Sequence, residues 1–99
     1  MDKVALEKAV IEKLSKVIDP ETGVDVIRMK LIQNTRIDES NKLFYEFRPS
    51  SPLCPIAVPL VLDIIHAIRE IHEISGQSVT VVDYIQADEL NNMLKSVLG

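Results

Sequence analysis

The stretch DVIRMKLIQNTRIDESNKLFYEFR, residues 25–48, contains two runs of alternating apolar and polar residues on either side of the polar segment DESN, residues 38–41. In the first run Ile27, Met29 and Leu31 are separated by basic residues, and the second run alternates in the same way. Successive side chains of a β-strand point to opposite faces, so two such runs with a short polar connection are typical of a hairpin. The stretch therefore predicts two antiparallel strands, with Ile27 to Leu31 on the first.

A helix is predicted on the N-terminal side of this hairpin. From Asp2 to Ile18, apolar residues recur at three- and four-residue spacing with lysines and glutamates between them, which indicates an amphipathic helix with Asp2 as its N-cap. Pro20 disfavours helical geometry at Asp19, and Gly23 permits the positive φ of a tight reversal. We therefore expect this helix to end at Ile18 or Asp19.

Two more helices and a third strand are predicted on the C-terminal side. Apolar residues from Leu60 to Ile71 have helical spacing and should form the most buried helix, which Gly76 would end. The β-branched segment SVTVVDYI, residues 78–85, predicts a strand, and residues 87–99 predict a short final helix. Four apolar side chains of that last helix are expected to face inward: Leu90, Met93, Leu94 and Val97.

The predicted order of elements is α-β-β-α-β-α. A hairpin followed by a strand that returns through a helix gives a small mixed three-stranded sheet with helices packed against it, an α+β fold of two layers. The chain has 99 residues, which suffices for one domain over residues 1–99 and leaves no room for a second.

Composition argues against several classes of function. The formal net charge is -4 and the eleven lysines and arginines are scattered, so no attraction to nucleic acid is predicted. No apolar run approaches the ~18 residues of a membrane span, and the first residues do not have the pattern of a signal peptide, so we expect a cytoplasmic protein. Cys54 is the only cysteine, which excludes an internal disulfide and agrees with a reducing compartment.

The segment RPSSPLCPIAVP, residues 48–59, places Cys54 among four prolines. Pro59 cannot donate a hydrogen bond to the carbonyl four residues back, which leaves two alternatives. Either the second helix begins late, with Cys54 before its N-cap, or it begins at Pro55 with Cys54 as its cap and a kink at Pro59. Both place the thiol at or just before the positive end of a helix dipole, which favours the thiolate. A small buried apolar role for Cys54 stays open.

The histidines give Cys54 no convincing base. His66 and His72 both fall on the predicted second helix but on different faces, and His66 is expected to form an ordinary i, i+4 pair with Glu70. A cysteine nucleophile usually needs a positioned base. A thiol enzyme built on Cys54 and His66 is therefore the least favoured function.

The segment DPETGVD, residues 19–25, carries three carboxylates, from Asp19, Glu21 and Asp25. Turn chemistry alone accounts for them, because Asp before Pro and Gly after Thr are common loop residues. As a functional site, oxygen ligands near a thiolate would suit iron or the edge of a labile cluster better than a structural zinc. Clusters are usually held by four cysteines, so a cluster on Cys54 would be shared with a partner, a second subunit or a small thiol.

Two segments also match the signatures of a known family. VIDPETGVDVIRMKLI, residues 17–32, is similar to V-x-DPE-x-x-x-D-V-[IV]-x-x-G-L-I, and PSSPLCP, residues 49–55, is similar to T/P-S-P-x-C-P. The segments at 68–85 and 87–99 are similar to the helix, final strand and C-terminal end of the same family. Over nearly its whole length the chain thus resembles the domain-of-unknown-function fifty-nine family. Lys30 stands where that family commonly has glycine, and Gln77 where "G-V" would be usual.

The resemblance implies an α+β fold and a non-enzymatic role in iron-sulfur cluster assembly or in the maturation of iron-sulfur proteins, closest to the minimal SufT-like members. It implies that Cys54 is the principal functional residue and that it transiently holds iron, an iron-sulfur cluster or sulfur. Its implied neighbours are acidic or polar: Asp19, Glu21, Asp25 and Ser51. The expected partners are assembly scaffold or carrier proteins and recipient apo-proteins, with a homodimer if a strand edge is open. The alternative is a pure adaptor in which Cys54 is only packed.

Overall fold

The computed structural model describes residues 3–20, 22–50, 53 and 56–98. The described residues form three helices and three strands, which are in chain order α1 Lys3–Leu14, β1 Ile32–Ile37, β2 Lys42–Phe47, α2 Ala57–Arg69, β3 Gly76–Val81 and α3 Ala87–Leu98. This is the predicted order, and the α+β fold is confirmed. No helix in the described part of the chain is long and apolar enough to cross a membrane.

The sheet is mixed, with β2 at its centre. β1 pairs antiparallel with β2, and β3 pairs parallel with β2 in continuous register from Lys42 opposite Gly76 to Phe47 opposite Val81. Because parallel neighbours need a crossover connection, α2 carries the chain back across the sheet between β2 and β3. The hairpin predicted from the alternating pattern is therefore formed by β1 and β2, with a turn at residues 38–41.

The predicted start of the first strand is wrong. β1 begins at Ile32, and residues 26–30 form a turn instead of an extended segment. Asp25 begins this turn by accepting the Arg28 N–H through Oδ1 at 2.8 Å, and Lys30 ends it with φ of 60°. One helical turn is too short for a period of 3.6 to be separated from a period of two, so the alternation at 27, 29 and 31 was misleading.

The first helix is also shorter than predicted. α1 ends at Leu14, and the chain continues to Val17 in tighter turns in which the N–H groups of Lys16 and Val17 each donate to the carbonyl three residues back. The Ser15 hydroxyl donates to the Glu12 carbonyl at 2.7 Å, a local bond that competes with the helical ladder. The predicted N-cap, Asp2, lies outside the described residues.

The second helix ends at Arg69 rather than at Gly76, which is the first residue of β3. The C-cap, Glu70, keeps right-handed helical geometry, so this helix ends without the left-handed glycine that the prediction assumed. His72 consequently lies beyond the helix. The prediction that α2 is the most buried helix agrees with seven fully buried side chains on it, against three on α1 and two on α3.

The final helix turns only part of its apolar face inward. Leu90 and Leu94 are buried, as predicted, whereas Met93 is 38% exposed and Val97 is 41% exposed. Leu90 and Leu94 are one turn apart and point at β3, while Met93 and Val97 lie on the flank of the helix where no further element covers them within the described part of the chain. The expectation for Met93 and Val97 was therefore wrong.

Two polar side chains, those of Tyr45 and Gln77, connect the sheet to α2 through the otherwise apolar core. The buried Tyr45 hydroxyl of β2 donates to Gln77 Oε1 of β3 at 2.7 Å, and Gln77 Nε2 donates to the Ile65 carbonyl of α2 at 3.0 Å. Among the described residues, every buried side-chain nitrogen and oxygen has a partner. Gln77, one of the two departures from the family pattern, thus ties the central strand, an edge strand and the crossover helix together.

Candidate functional site

The start of α2 decides between the two placements of Cys54. The N-cap is Ile56, whose carbonyl accepts the Leu60 N–H at 2.9 Å, and the first helical residue is Ala57. Pro59 is therefore in the first turn, where its missing N–H leaves no hydrogen bond unmade. This confirms the late start, and Cys54 precedes the N-cap by two positions in the sequence. Cys54 itself and the predicted neighbours Ser51 and Glu21 lie outside the described residues.

The segment that carries Asp19 folds into a closed turn. The Asp19 N–H donates to the Val24 carbonyl at 2.9 Å, and the Gly23 N–H donates back to the Asp19 carbonyl at 2.8 Å. Gly23 has φ of 71°, the left-handed geometry that favours glycine. A bridge between Ile18 and Asp25 closes the base of the turn. Asp19 is 1% exposed, so the sequence motif forms a compact structure with its first acidic residue inside.

Asp25 has a structural task in the next turn. Its Oδ1 accepts the Arg28 N–H at 2.8 Å, and its carbonyl accepts the Met29 N–H at 3.1 Å, which is the bonding pattern of an N-cap. One carboxylate oxygen of Asp25 is thus committed to the backbone. Only the other could contribute to a site around Cys54.

The same turn ends in a Schellman motif. The Leu31 N–H donates to the Val26 carbonyl and the Lys30 N–H donates to the Ile27 carbonyl, both at 3.0 Å. Val26 and Leu31 are both buried, which is the apolar contact that accompanies this motif. Lys30 occupies its left-handed position, which usually holds glycine, and a residue with a Cβ there costs roughly 1–2 kcal/mol. The family's glycine at this position therefore has a backbone reason, and Lys30 adopts that backbone at an energetic cost.

A cavity of about 350 Å³ joins the two sequence motifs. Met29 lies on one wall, and its sulfur accepts a hydrogen bond from the Thr22 hydroxyl of the Asp19 turn at 3.2 Å. Pro49 and Ser50 lie on another wall, and the chain runs from Ser50 directly into residues 51–55. The cavity thus lies between the turn that carries Asp19 and residues Pro49 and Ser50, which precede Cys54 in the sequence. A larger cavity, of about 650 Å³, runs along β3 and α3 and is lined by no residue of the two signature segments 17–32 and 49–55.

Three charged residues line the smaller cavity. Arg48 follows β2, and its Nε lies 3.1 Å from Asp83 Oδ2, with both side chains more than half exposed. Lys30 supplies a second cation and forms no ion pair within the described residues. Asp83 also has a left-handed backbone, with φ of 53°. Sequence reasoning did not assign these residues to the site, and the only signal for any of them was Lys30 at the family's glycine position.

The histidines do not join this site. His66 is exposed on α2, and Glu70, its predicted partner, pairs instead with Lys13 Nζ of α1 at 3.1 Å. Across the described ranges, no group of three His, Cys, Asp or Glu residues is arranged to hold a metal ion. The described residues therefore contribute at most part of a metal site.

Comparisons with known proteins identify relatives of this chain in sequence and in structure. The family described as iron-sulfur cluster assembly protein matches residues 7–81. The Fe-S protein maturation auxiliary factor YitW of Bacillus subtilis is 28% identical over 78 residues, which cover 79% of this chain and 76% of that protein. The Fe-S protein maturation auxiliary factor SufT of Staphylococcus aureus is 27% identical over 66 residues, covering 67% and 75%. A Bacillus anthracis structure described as domain of unknown function DUF59 superimposes with a TM-score of 0.74 at 29% identity, covering 97% of this chain and 93% of that one.

Proposed function

The chain belongs to the iron-sulfur cluster assembly protein family, and on that premise we propose that it is a non-enzymatic cytoplasmic maturation factor that transiently holds its cargo through Cys54. Two of its relatives are named Fe-S protein maturation auxiliary factors, which supports a role in the maturation of iron-sulfur proteins. The observation that supports transient holding of the cargo by Cys54 is the start of α2 at Ala57. With that start, Cys54 lies two positions before the N-cap in the sequence and is not part of the helix itself.

The cargo is iron, an iron-sulfur cluster or sulfur. For iron or a cluster, the Cys54 thiol loses its proton and the thiolate becomes one ligand. For sulfur, the thiolate takes the terminal sulfur of a donor persulfide: a new S–S bond forms on Cys54, the donor S–S bond breaks, and the donor leaves as a thiolate. A single cysteine gives a cluster one of the usual four ligands, so an assembly scaffold, a carrier, a recipient apo-protein or a small thiol supplies the rest.

Anaerobic purification followed by iron and sulfide analysis tests this function. After reconstitution with a small thiol present and gel filtration, wild type should retain iron, with or without sulfide, or a persulfide sulfur, and Cys54→Ser should retain neither. The matched control is Cys54→Ser combined with Ser96→Cys, which restores one thiol at an exposed position of α3. If that control recovers the iron, any exposed thiol suffices and the assignment to Cys54 is wrong. It is also wrong if wild type and Cys54→Ser retain equal amounts.

A pure adaptor is the second candidate, and one observation favours it. Leu53, which immediately precedes Cys54, is 69% exposed and so presents an apolar side chain that a partner protein can contact. In that case Cys54 is packed, and exposed residues such as Leu53 bind the partner. Alkylation separates the two functions, because a packed thiol reacts only after unfolding, whereas a presented thiolate reacts in the native protein.

A homodimer by strand pairing is part of the same proposal. β1 and β3 are the two edges of the sheet, and the Asn91 side chain covers the end of β3 by bonding to both the N–H and the carbonyl of Val81. Pairing through β3 is therefore limited to the residues before Val81. Sedimentation equilibrium measures whether a dimer forms.

A further inference from the structure

We propose that the cavity beside the cysteine segment binds a small thiol carrying carboxylate and ammonium groups, with Lys30 as the residue that makes this chain selective for it. The inference rests on the proposed function, because one cysteine leaves iron or a cluster in need of further thiolate ligands. It adds the chemical class of the ligand and the residues that recognise it.

The position of the cavity is the first observation. It is bounded by the Schellman turn at Lys30, by Pro49 and Ser50 at the root of the cysteine segment, and by Asp83 after β3. Its volume of about 350 Å³ is at the small end of ordinary ligand sites. A molecule bound there would contact Ser50, from which the chain continues toward Cys54.

The charges of the cavity are the second observation. Lys30 and Arg48 bring two positive charges and Asp83 brings one negative charge, a lining with a net charge of one positive. A ligand with two carboxylates and one ammonium, such as a γ-glutamyl peptide thiol, carries the complementary set. The Arg48–Asp83 ion pair uses Nε and Oδ2, so Lys30 would take one carboxylate, the Arg48 Nη groups would take the other, and Asp83 Oδ1 would accept the ammonium.

The backbone at the cavity is the third observation. Lys30 and Asp83 are two of the four non-glycine residues with positive φ in the described part of the chain, and both line this one cavity. Glycine adopts this backbone geometry without steric cost, so the backbone alone would favour glycine at either position. Two charged residues of the cavity therefore occupy backbone positions that favour glycine. Residues in such strained conformations are common at binding sites.

Binding is tested on the apo-protein by titrating reduced glutathione, at millimolar concentration and fixed salt, into isotope-labelled wild type. Backbone resonances of residues 29–33, 48–50 and 82–84 should shift together. In Lys30→Gly the affinity should fall by roughly 5- to 10-fold, the loss of one charge-assisted contact, while the melting temperature rises by a few degrees. Lys30→Arg should retain most of the affinity. Lys95→Gln, which removes one positive charge from α3, should bind as wild type does.

The opposite results overturn the inference. It is wrong if glutathione shifts none of these resonances, if Lys30→Gly binds as well as wild type, or if Lys95→Gln loses as much affinity as Lys30→Gly. S-methylglutathione keeps the charges without the free thiol, so it should bind the apo-protein equally and fail to support iron retention. If glutathione binds as predicted but wild type retains neither iron nor a persulfide sulfur, the cavity assignment stands and the proposed function fails. If iron is retained without any small thiol and equally by Lys30→Gly, this inference fails and the proposed function stands.

Discussion

The hydrogen bond between Tyr45 and Gln77 should make a measurable contribution to the stability of the fold. Tyr45 is 2% exposed and Gln77 is 8% exposed, so neither can exchange its partner for water. Tyr45→Phe removes the hydroxyl and leaves Gln77 Oε1 buried without a donor. An unsatisfied buried polar group costs about 1–3 kcal/mol, and we expect the free energy of unfolding to fall by about that amount.

The reciprocal variant and the double variant complete the cycle. Gln77→Leu leaves the Tyr45 hydroxyl without its acceptor and should also lower the free energy of unfolding by about 1–3 kcal/mol. Tyr45→Phe with Gln77→Leu removes both polar groups together, so its loss should be smaller than the sum of the two single losses by at least about 1 kcal/mol. The apolar replacements keep the side chains close to their original size, which limits the contribution of cavities.

Equilibrium unfolding in urea measures all four proteins, with the slope against denaturant checked for constancy. The reasoning is refuted if Tyr45→Phe changes the free energy of unfolding by less than about 0.5 kcal/mol, the range of ordinary surface substitutions. It is also refuted if the single losses add without coupling, since the two side chains would then act independently.

Three further predictions concern Tyr45, Asp25 and Asn91. Burial raises the pKa of Tyr45 above its ordinary value of about 10, so above that pH the native state keeps a proton that the unfolded chain loses. The free energy of unfolding should therefore be constant below about pH 10 and fall above it by up to ~1.4 kcal/mol per pH unit. Urea unfolding across that pH range measures the slope, which should be less steep in Tyr45→Phe. Asp25→Ala should cost about 1 kcal/mol and Asp25→Asn much less, and equal losses in thermal unfolding would contradict the capping role. Asn91→Ala should free the edge of β3 at Val81, lowering stability by about 1–2 kcal/mol and increasing self-association in sedimentation; an unchanged monomer of equal stability would contradict this.

The parts of the fold that follow from local chemistry were predictable. Pro59 limits α2 to two starts, a late one that places Pro59 in the first turn or one at Pro55 with a kink at Pro59, and the helix takes the late start at Ala57. The alternation in β2 was also reliable, since Leu43, Tyr45 and Phe47 all face the core. Each of these signals is contained within a few neighbouring residues.

The features that the sequence did not predict depend either on competing local interactions or on residues that are far apart in the chain. The Asp25 cap and the Schellman motif at Lys30 together outweigh an alternation that would equally suit a strand, and no window of five residues separates the two. The charged cavity brings together Lys30, Arg48 and Asp83 from three parts of the chain, so no local motif indicates it. Asp19 was correctly placed in a turn, but its burial depends on what packs around that turn.

The central claim is that Cys54 is required for the maturation of iron-sulfur proteins. The most direct measurement is the activity of iron-sulfur-dependent enzymes in a strain lacking its own copy of the gene, complemented with wild type or Cys54→Ser at equal protein levels. Cys54→Ser should leave those enzymes at the activity of the uncomplemented strain, while the iron-free enzymes of the same extracts are unchanged. Full restoration of activity by Cys54→Ser would contradict the claim.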